Sequence, residues 1–217
     1  MPDSHGGAVA QPSRIERLIG ALREFYGLLP TPPSDAFMLF VWEVLSFQAP
    51  PIKRDAAFGA LKRARALTPD SMTKVAPKKL AESVRLTGSY QEQRLRALKT
   101  GIMAFQRDPA LAAAIKGPLP VAQEALGALP QMSDGGAERM LLFAGDHKVL
   151  PMDTGMWRLI RRLGYDEAPD SELPHSLDAY RRASIYLGHH AAVTCDEKEP
   201  HCHVCPLKSA CPYGRDR

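Results

Sequence analysis

Four cysteines, and no others, crowd into the last 23 residues of this 217-residue chain: Cys195, Cys202, Cys205 and Cys211, spaced C-x6-C-x2-C-x5-C. Thiolates are soft ligands, and a compact set of four suits a tetrahedral zinc or an iron–sulfur cluster. The residues between them (Pro200, Pro206, Pro212, His201, His203, Lys208) are turn-forming and polar and supply no core. A metal centre is therefore what folds such a tail. A pair of disulfides is the competing reading, with three possible connectivities. It fits poorly, because the opening MPDSHGGAVAQPSRIE has no apolar signal stretch, which points to a cytoplasmic, reducing setting. Spacing leaves zinc and iron open, although zinc sites more often show two separated close pairs and only one C-x2-C is present.

The rest of the chain reads as helix. Apolar residues Ile15, Leu18, Ile19, Leu22, Phe25 and Tyr26 recur at helical spacing, after residues 1–11, which are small and polar and expected to be disordered. Ser34 reads as the N-cap of the next helix, whose body FMLFVWEVL is apolar on nearly every side and hence central. That helix runs into Pro50-Pro51, which leaves Gln48 at a polar rim. Shorter amphipathic stretches follow at 54–67, after the cap Thr68-Pro69, at 77–86, 90–106, 108–116 and 120–128. Alternating β-branched runs are missing, so the chain is expected to be all-α with short connections. No apolar run nears the roughly 20 residues of a membrane span. A net charge of +4 permits a nucleic-acid partner without demanding one.

Residues 129–165 read as a tight turn, an apolar helix to Gly145, a loop, and a helix starting near Asp153. Between Arg139 and Arg162 five basic residues (Arg139, Lys148, Arg158, Arg161, Arg162) stand against two acids, Asp146 and Asp153, a pattern that a solvated helix face also gives. By type and place, Asp153 reads first as an N-cap.

Together these segments resemble the endonuclease III and adenine-glycosylase branch of the helix-hairpin-helix DNA glycosylases. The cysteine tail is similar to that branch's iron–sulfur loop. Leu129-Pro130 opens a segment similar to its hairpin, L-P-G-V-G-x-[K/S]-T-A, and Met152-Asp153-Thr154 matches its V-D-T-H. Leu45-Ser46-Phe47-Gln48-Ala49 resembles L-S-x-Q-[A/T], and Gly88-Ser89-Tyr90 through Leu98 resembles G-[LY]-Y-x-x-[KR]-A-x-x-[IL]. The matches keep the family's order from about Ser34 to Tyr213.

The resemblance implies a two-lobed fold: a six-helix domain over 34–145, a second lobe from 12–33 plus 146–194, and a [4Fe-4S] loop over 195–217. It implies a monomer acting on double-stranded DNA with a damaged or mismatched base, which is extruded into a cleft between the lobes. Asp153 becomes the carboxylate that stabilises positive charge on the sugar and activates water. Gln48, the hairpin residues Gln131, Met132, Ser133 and Gly135, and Arg158 become DNA contacts. Cys195, Cys202, Cys205 and Cys211 become the cluster ligands.

Three departures bear on activity. Gly135 stands where bifunctional members carry the lysine that forms a Schiff base, so strand nicking is expected to be weak or absent. Gln131-Met132-Ser133 replaces the hairpin's glycines, and Gly155 replaces the histidine after Asp-Thr. With Gly135 and Gly155 side by side, the floor of the site is expected to be unusually open, and Lys148 is the nearest amine in sequence. An alternative is therefore a non-catalytic iron–sulfur DNA-binding protein on the same scaffold.

Overall fold

The computed structural model describes residues 11–127, 129, 132–215 and 217. Apart from Gln11, the disorder expected at 1–11 lies outside the described residues, as do Pro130 and Gln131 of the hairpin. Among those described, the chain forms α-helices and short 3-10 turns and no strand. None of the helices is long and apolar enough to cross a membrane.

The first lobe is assembled around α2 (Ala36–Ser46), which buries nine of its eleven residues. Only a helix with apolar side chains on every face can be enclosed this way, and FMLFVWEVL is one. Its N-cap is Asp35 rather than Ser34: the Asp35 carboxylate accepts from Met38 N at 2.9 Å. Around it pack α3 (Pro51–Arg63), α6 (Gln91–Arg107), α7 (Leu111–Ile115) and α9 (Asp134–Phe143), with α4 (Pro69–Thr73), α5 (Pro77–Arg85) and α8 (Leu119–Gly127) outside them. The stretch expected to hold six helices thus holds eight among the described residues. The residue pattern itself marks short stretches at α4, after Thr68-Pro69, and at α7, within 108–116; the figure of six comes from the resemblance alone.

The second lobe joins the two ends of the chain. Helix α1 (Arg14–Tyr26) lies on α11 (Leu177–Val193), and α11 on α10 (Thr154–Arg162). Polar ties across this long sequence gap fix the register: Glu172 accepts from Ile15 N at 3.0 Å, and Tyr186 Oη donates to Gly27 O at 2.9 Å. The short α12 (Pro212–Arg215) closes the tail against α10. The lobes meet where α9 touches α11, and Leu29, Pro30 and Pro32 of the connector line the cavity there.

Candidate active site

Two helix starts converge where the lobes meet. Ser133 caps α9, its hydroxyl accepting from Gly136 N at 3.1 Å, and Asp153 caps α10, its Oδ1 accepting from Met156 N at 2.9 Å. The N-cap role expected of Asp153 is therefore real, and it uses only one carboxylate oxygen. The preceding loop is pinned to α9 by Glu138, which accepts from Met152 N at 2.7 Å.

The other oxygen meets a cation. Arg139, one turn along α9 from Gly135, donates from Nη1 to Asp153 Oδ2 at 2.7 Å. The same guanidinium grips Glu43 of α2 side-on, Nε to Oε1 and Nη2 to Oε2, both at 2.9 Å. Burial works against the charge on Arg139, but the Glu43 and Asp153 carboxylates outweigh it and raise its pKa. Glu43 is 8% exposed, so removing Arg139 would strand its buried charge at a cost of about 3–5 kcal/mol.

The Glu43–Arg139–Asp153 array is a shared wall between two cavities. The larger, about 840 Å³, opens between α2, α6 and the starts of α9 and α10, and includes Gln48, Met132, Ser133 and Gly135. The smaller, about 250 Å³, runs between the lobes, with Trp42, Ser46 and Arg54 on one side and Ser184, Ile185 and His189 on the other. Arg54 stacks 3.9 Å from the Trp42 ring and pairs with Asp55 at 2.8 Å. Burial, then Arg54, lowers the His189 pKa.

The rim of the larger cavity is strained. Gln48 and Tyr90 both take left-handed backbone angles (φ 48° and 65°), which non-glycine residues adopt at a cost of about 1–3 kcal/mol. Arg94, 1% exposed, over-determines both turns by donating to Phe47 O and Ser89 O. This holds the exposed rings of Phe47 and Tyr90 edge to face, 5.5 Å apart, beside the exposed Gln48.

The expected open floor is not there. A Cβ on Gly135 would lie 2.6 Å from Asp153 Cβ and 3.1 Å from its Cα. One on Gly155 would meet Asp153 Oδ1 at 3.3 Å. Gly135 is thus the residue that lets α9 pass directly beneath Asp153, and Arg139 occupies the space in front. We expect Gly135→Ala to destabilise the protein by about 1–3 kcal/mol through overpacking. A methyl group in a helix would otherwise gain up to about 1 kcal/mol, so urea unfolding of this one variant reads the sign directly.

Other candidates fall elsewhere. Lys148 is exposed and lines neither cavity. Arg158 is turned away from the rim: its Nε donates to Cys195 O at 3.0 Å and its Nη2 to Ala191 O at 2.7 Å. It is a strut for the tail, because α10 aims that face at the end of α11. Gln131 lies outside the described residues. Glu43, Arg139 and Arg94 were not singled out from sequence as site residues. The available signal was a lone acid inside an otherwise apolar helix.

All four cysteines line one apolar cavity with Leu159, Leu163, His190 and Leu207. Among the described residues, no three His, Cys, Asp or Glu side chains converge tightly enough for a single metal ion. Burial, with the neighbouring cysteines adding to it, pushes the Cys205 and Cys211 thiols up, so the tail gathers thiols that repel as thiolates without a cation between them. Arg162 braces the set, donating to Cys195 Sγ at 3.3 Å, Asp196 O at 2.6 Å and Glu197 O at 3.1 Å while stacking on Tyr213. His190, held at about 4 by burial and then by His189, is neutral and bridges Tyr26 Oη at 2.8 Å to Cys205 Sγ at 3.5 Å. The donor set and its surroundings fit an iron–sulfur cluster.

No protein-family model matches the chain. Solved structures do. A trapped endonuclease III–DNA covalent intermediate aligns over 94% of this chain and 96% of its own, with a TM-score of 0.67 and 19% identity. A thermostable thymine-DNA glycosylase aligns over 94% and 97%, with a TM-score of 0.66 and 16% identity. The chain has the helix-hairpin-helix DNA glycosylase fold. A 3-methyladenine DNA glycosylase from H. pylori, solved with 1,N6-ethenoadenine, also matches, over 81% of this chain and 93% of its own at a TM-score of 0.57 and 16% identity. Within that fold, Asp153 sits at the junction of the lobes.

Proposed function

We propose that the protein is a monofunctional DNA glycosylase of base-excision repair, hydrolysing the N-glycosidic bond of a base extruded into the inter-lobe cavity. The observation that carries this reading is Asp153, a fixed carboxylate at a helix start on the junction between the lobes of a glycosylase fold. As the bond breaks, positive charge grows on the sugar, and a carboxylate already oriented there stabilises it without reorganising. Each oxygen of Asp153 retains a second lone pair with which to take a proton from water. No amine stands at Gly135 and Lys148 lines neither cavity, so among the described residues no lysine is placed to form a Schiff base there.

The exposed Phe47, Gln48 and Tyr90 rim suits insertion into the stack that the extruded base leaves. Met132, Ser133 and Gly135, at the start of α9, are placed to grip a phosphate through backbone N–H groups. Cys195, Cys202, Cys205 and Cys211 would hold a [4Fe-4S] cluster, whose iron–thiolate bonds supply the fold of the tail. The protein acts as a monomer on double-stranded DNA.

One observation favours a second reading, a DNA-binding protein without turnover: Arg139 already neutralises part of the charge on Asp153. A panel of duplexes carrying uracil, oxidised pyrimidines, alkylated purines or adenine opposite 8-oxoguanine separates the two. Base release is expected on one class, with strand breaks only after alkali and no adduct trapped by borohydride. Salt-dependent binding with no base released from any duplex would establish the second reading instead.

A further inference from the structure

A guanidinium is inserted between two of the carboxylates of this site, Glu43 and Asp153. Glu43 is the acid that faces the cavity from α2, on the same wall as Asp153, and a proton donor for a departing base would have to be such a group. Both of its oxygens are engaged by Arg139, Nε and Nη2 each at 2.9 Å. Lending a proton would mean breaking one half of a bidentate ion pair that is almost fully enclosed. The other groups on the inter-lobe cavity do not fill the role. Asp55 is paired with Arg54, Asp153 is paired with Arg139, and His189, its pKa lowered by burial and then by Arg54, lies on α11 across the cavity.

The charge of the cavity points the same way. Its walls carry three carboxylates (Glu43, Asp55, Asp153) and two guanidiniums (Arg54, Arg139), one negative charge in excess. A neutral base leaving without a proton departs as an anion, which such a wall repels. A base that already carries positive charge meets its counter-charge on entry and departs neutral.

Building on the hydrolytic reading above, we infer that the juxtaposition of Glu43, Arg139 and Asp153 selects cationic, N-alkylated purines over neutral bases that need a proton to leave. In the reaction the C1′–N9 bond breaks and its electron pair stays on N9, cancelling the positive charge of the purine. A water oxygen bonds C1′, and the proton it loses passes to Asp153. Total charge at the cavity is unchanged between the bound base and the sugar cation. Arg139 is then a positioning residue, and Glu43 a specificity residue acting through charge.

The test uses the full-length protein with duplexes bearing 7-methyl-2′-deoxyguanosine, thymine glycol, or adenine opposite 8-oxoguanine, read by release of free base. A non-cleavable 2′-fluoro analogue of the 7-methylguanosine duplex, compared with its unmethylated guanosine parent, reads binding. The expected result is release of 7-methylguanine at least about tenfold faster than either neutral base, with no acid-favoured limb in the pH–rate profile. Glu43→Gln, with its fold checked by circular dichroism, is expected to cut the preference for the cationic over the neutral analogue by about tenfold, and Glu43→Asp to restore it. Preferential release of a neutral base, or an acid limb that Glu43→Gln abolishes, overturns the inference and leaves the glycosylase reading standing. Tight binding of the cationic analogue with no base released supports the charge selection and removes the hydrolytic reading. Equal binding of both analogues with no release removes both.

Discussion

Asp153→Asn is expected to slow base release by about 10²–10³-fold in single-turnover assays, while leaving affinity for duplex DNA nearly unchanged. The substitution keeps size and removes the charge that balances the sugar cation. It also changes the hydrogen-bond count in a way that geometry makes specific. Asp153 accepts from two directions, Met156 N and Arg139 Nη1. Asparagine has one acceptor oxygen and one NH₂ group. If the oxygen stays on Met156 N, the amide donors face the Arg139 donors; if it turns to Arg139, α10 loses its cap. Either way a stability loss of about 1–3 kcal/mol is expected alongside the loss of rate. Urea unfolding measures the first and base release the second. Full activity in Asp153→Asn would remove the catalytic role and leave Asp153 as a cap.

That dual role explains why sequence goes only part of the way here. Asp153 was legible both as an N-cap and, through the resemblance, as a catalytic carboxylate, and it sits where both roles can be served. The central helix was legible because FMLFVWEVL is apolar all round, a local property. Arg139 was visible only as one basic residue in a charged stretch, since nothing in α9 announces that it reaches α2, some 96 positions earlier in the chain. Gly135 is the clearest case of context overriding type. Read as a missing lysine it suggested vacancy, but the backbone of α9 fills that vacancy by closing on Asp153. A single sequence shows which side chain is absent and not what moves into its place. The bonds of Arg158 to Cys195 O and Ala191 O were equally hidden, since a basic residue on a helix carries no mark of which neighbour it faces.

Removing the metal centre is expected to have the largest effect on stability. Anaerobically purified protein should be brown with broad visible absorption; a colourless protein with one bound zinc would decide for the alternative. Cys211→Ser is expected to lose the colour and lower Tm by about 10–20 °C, from a loss on the order of 5 kcal/mol. The tail has little else to hold it. Its contribution to the core is Leu207 and Cys211, and its backbone carbonyls at Cys195, Asp196 and Glu197 are gathered by Arg158 and Arg162. Those two arginines lie on the helix that Asp153 caps, so α10 is a strut with the candidate catalytic group at one end and the thiolate loop at the other. When the loop melts, α10 loses the packing of α12 and of the cavity around Leu159 and Leu163. Base release should therefore fall together with the colour, although no cysteine approaches either cavity that Asp153 lines. If Cys211→Ser kept its iron and its Tm, the four cysteines would not be the ligands of one cluster, and the tail would need another source of order.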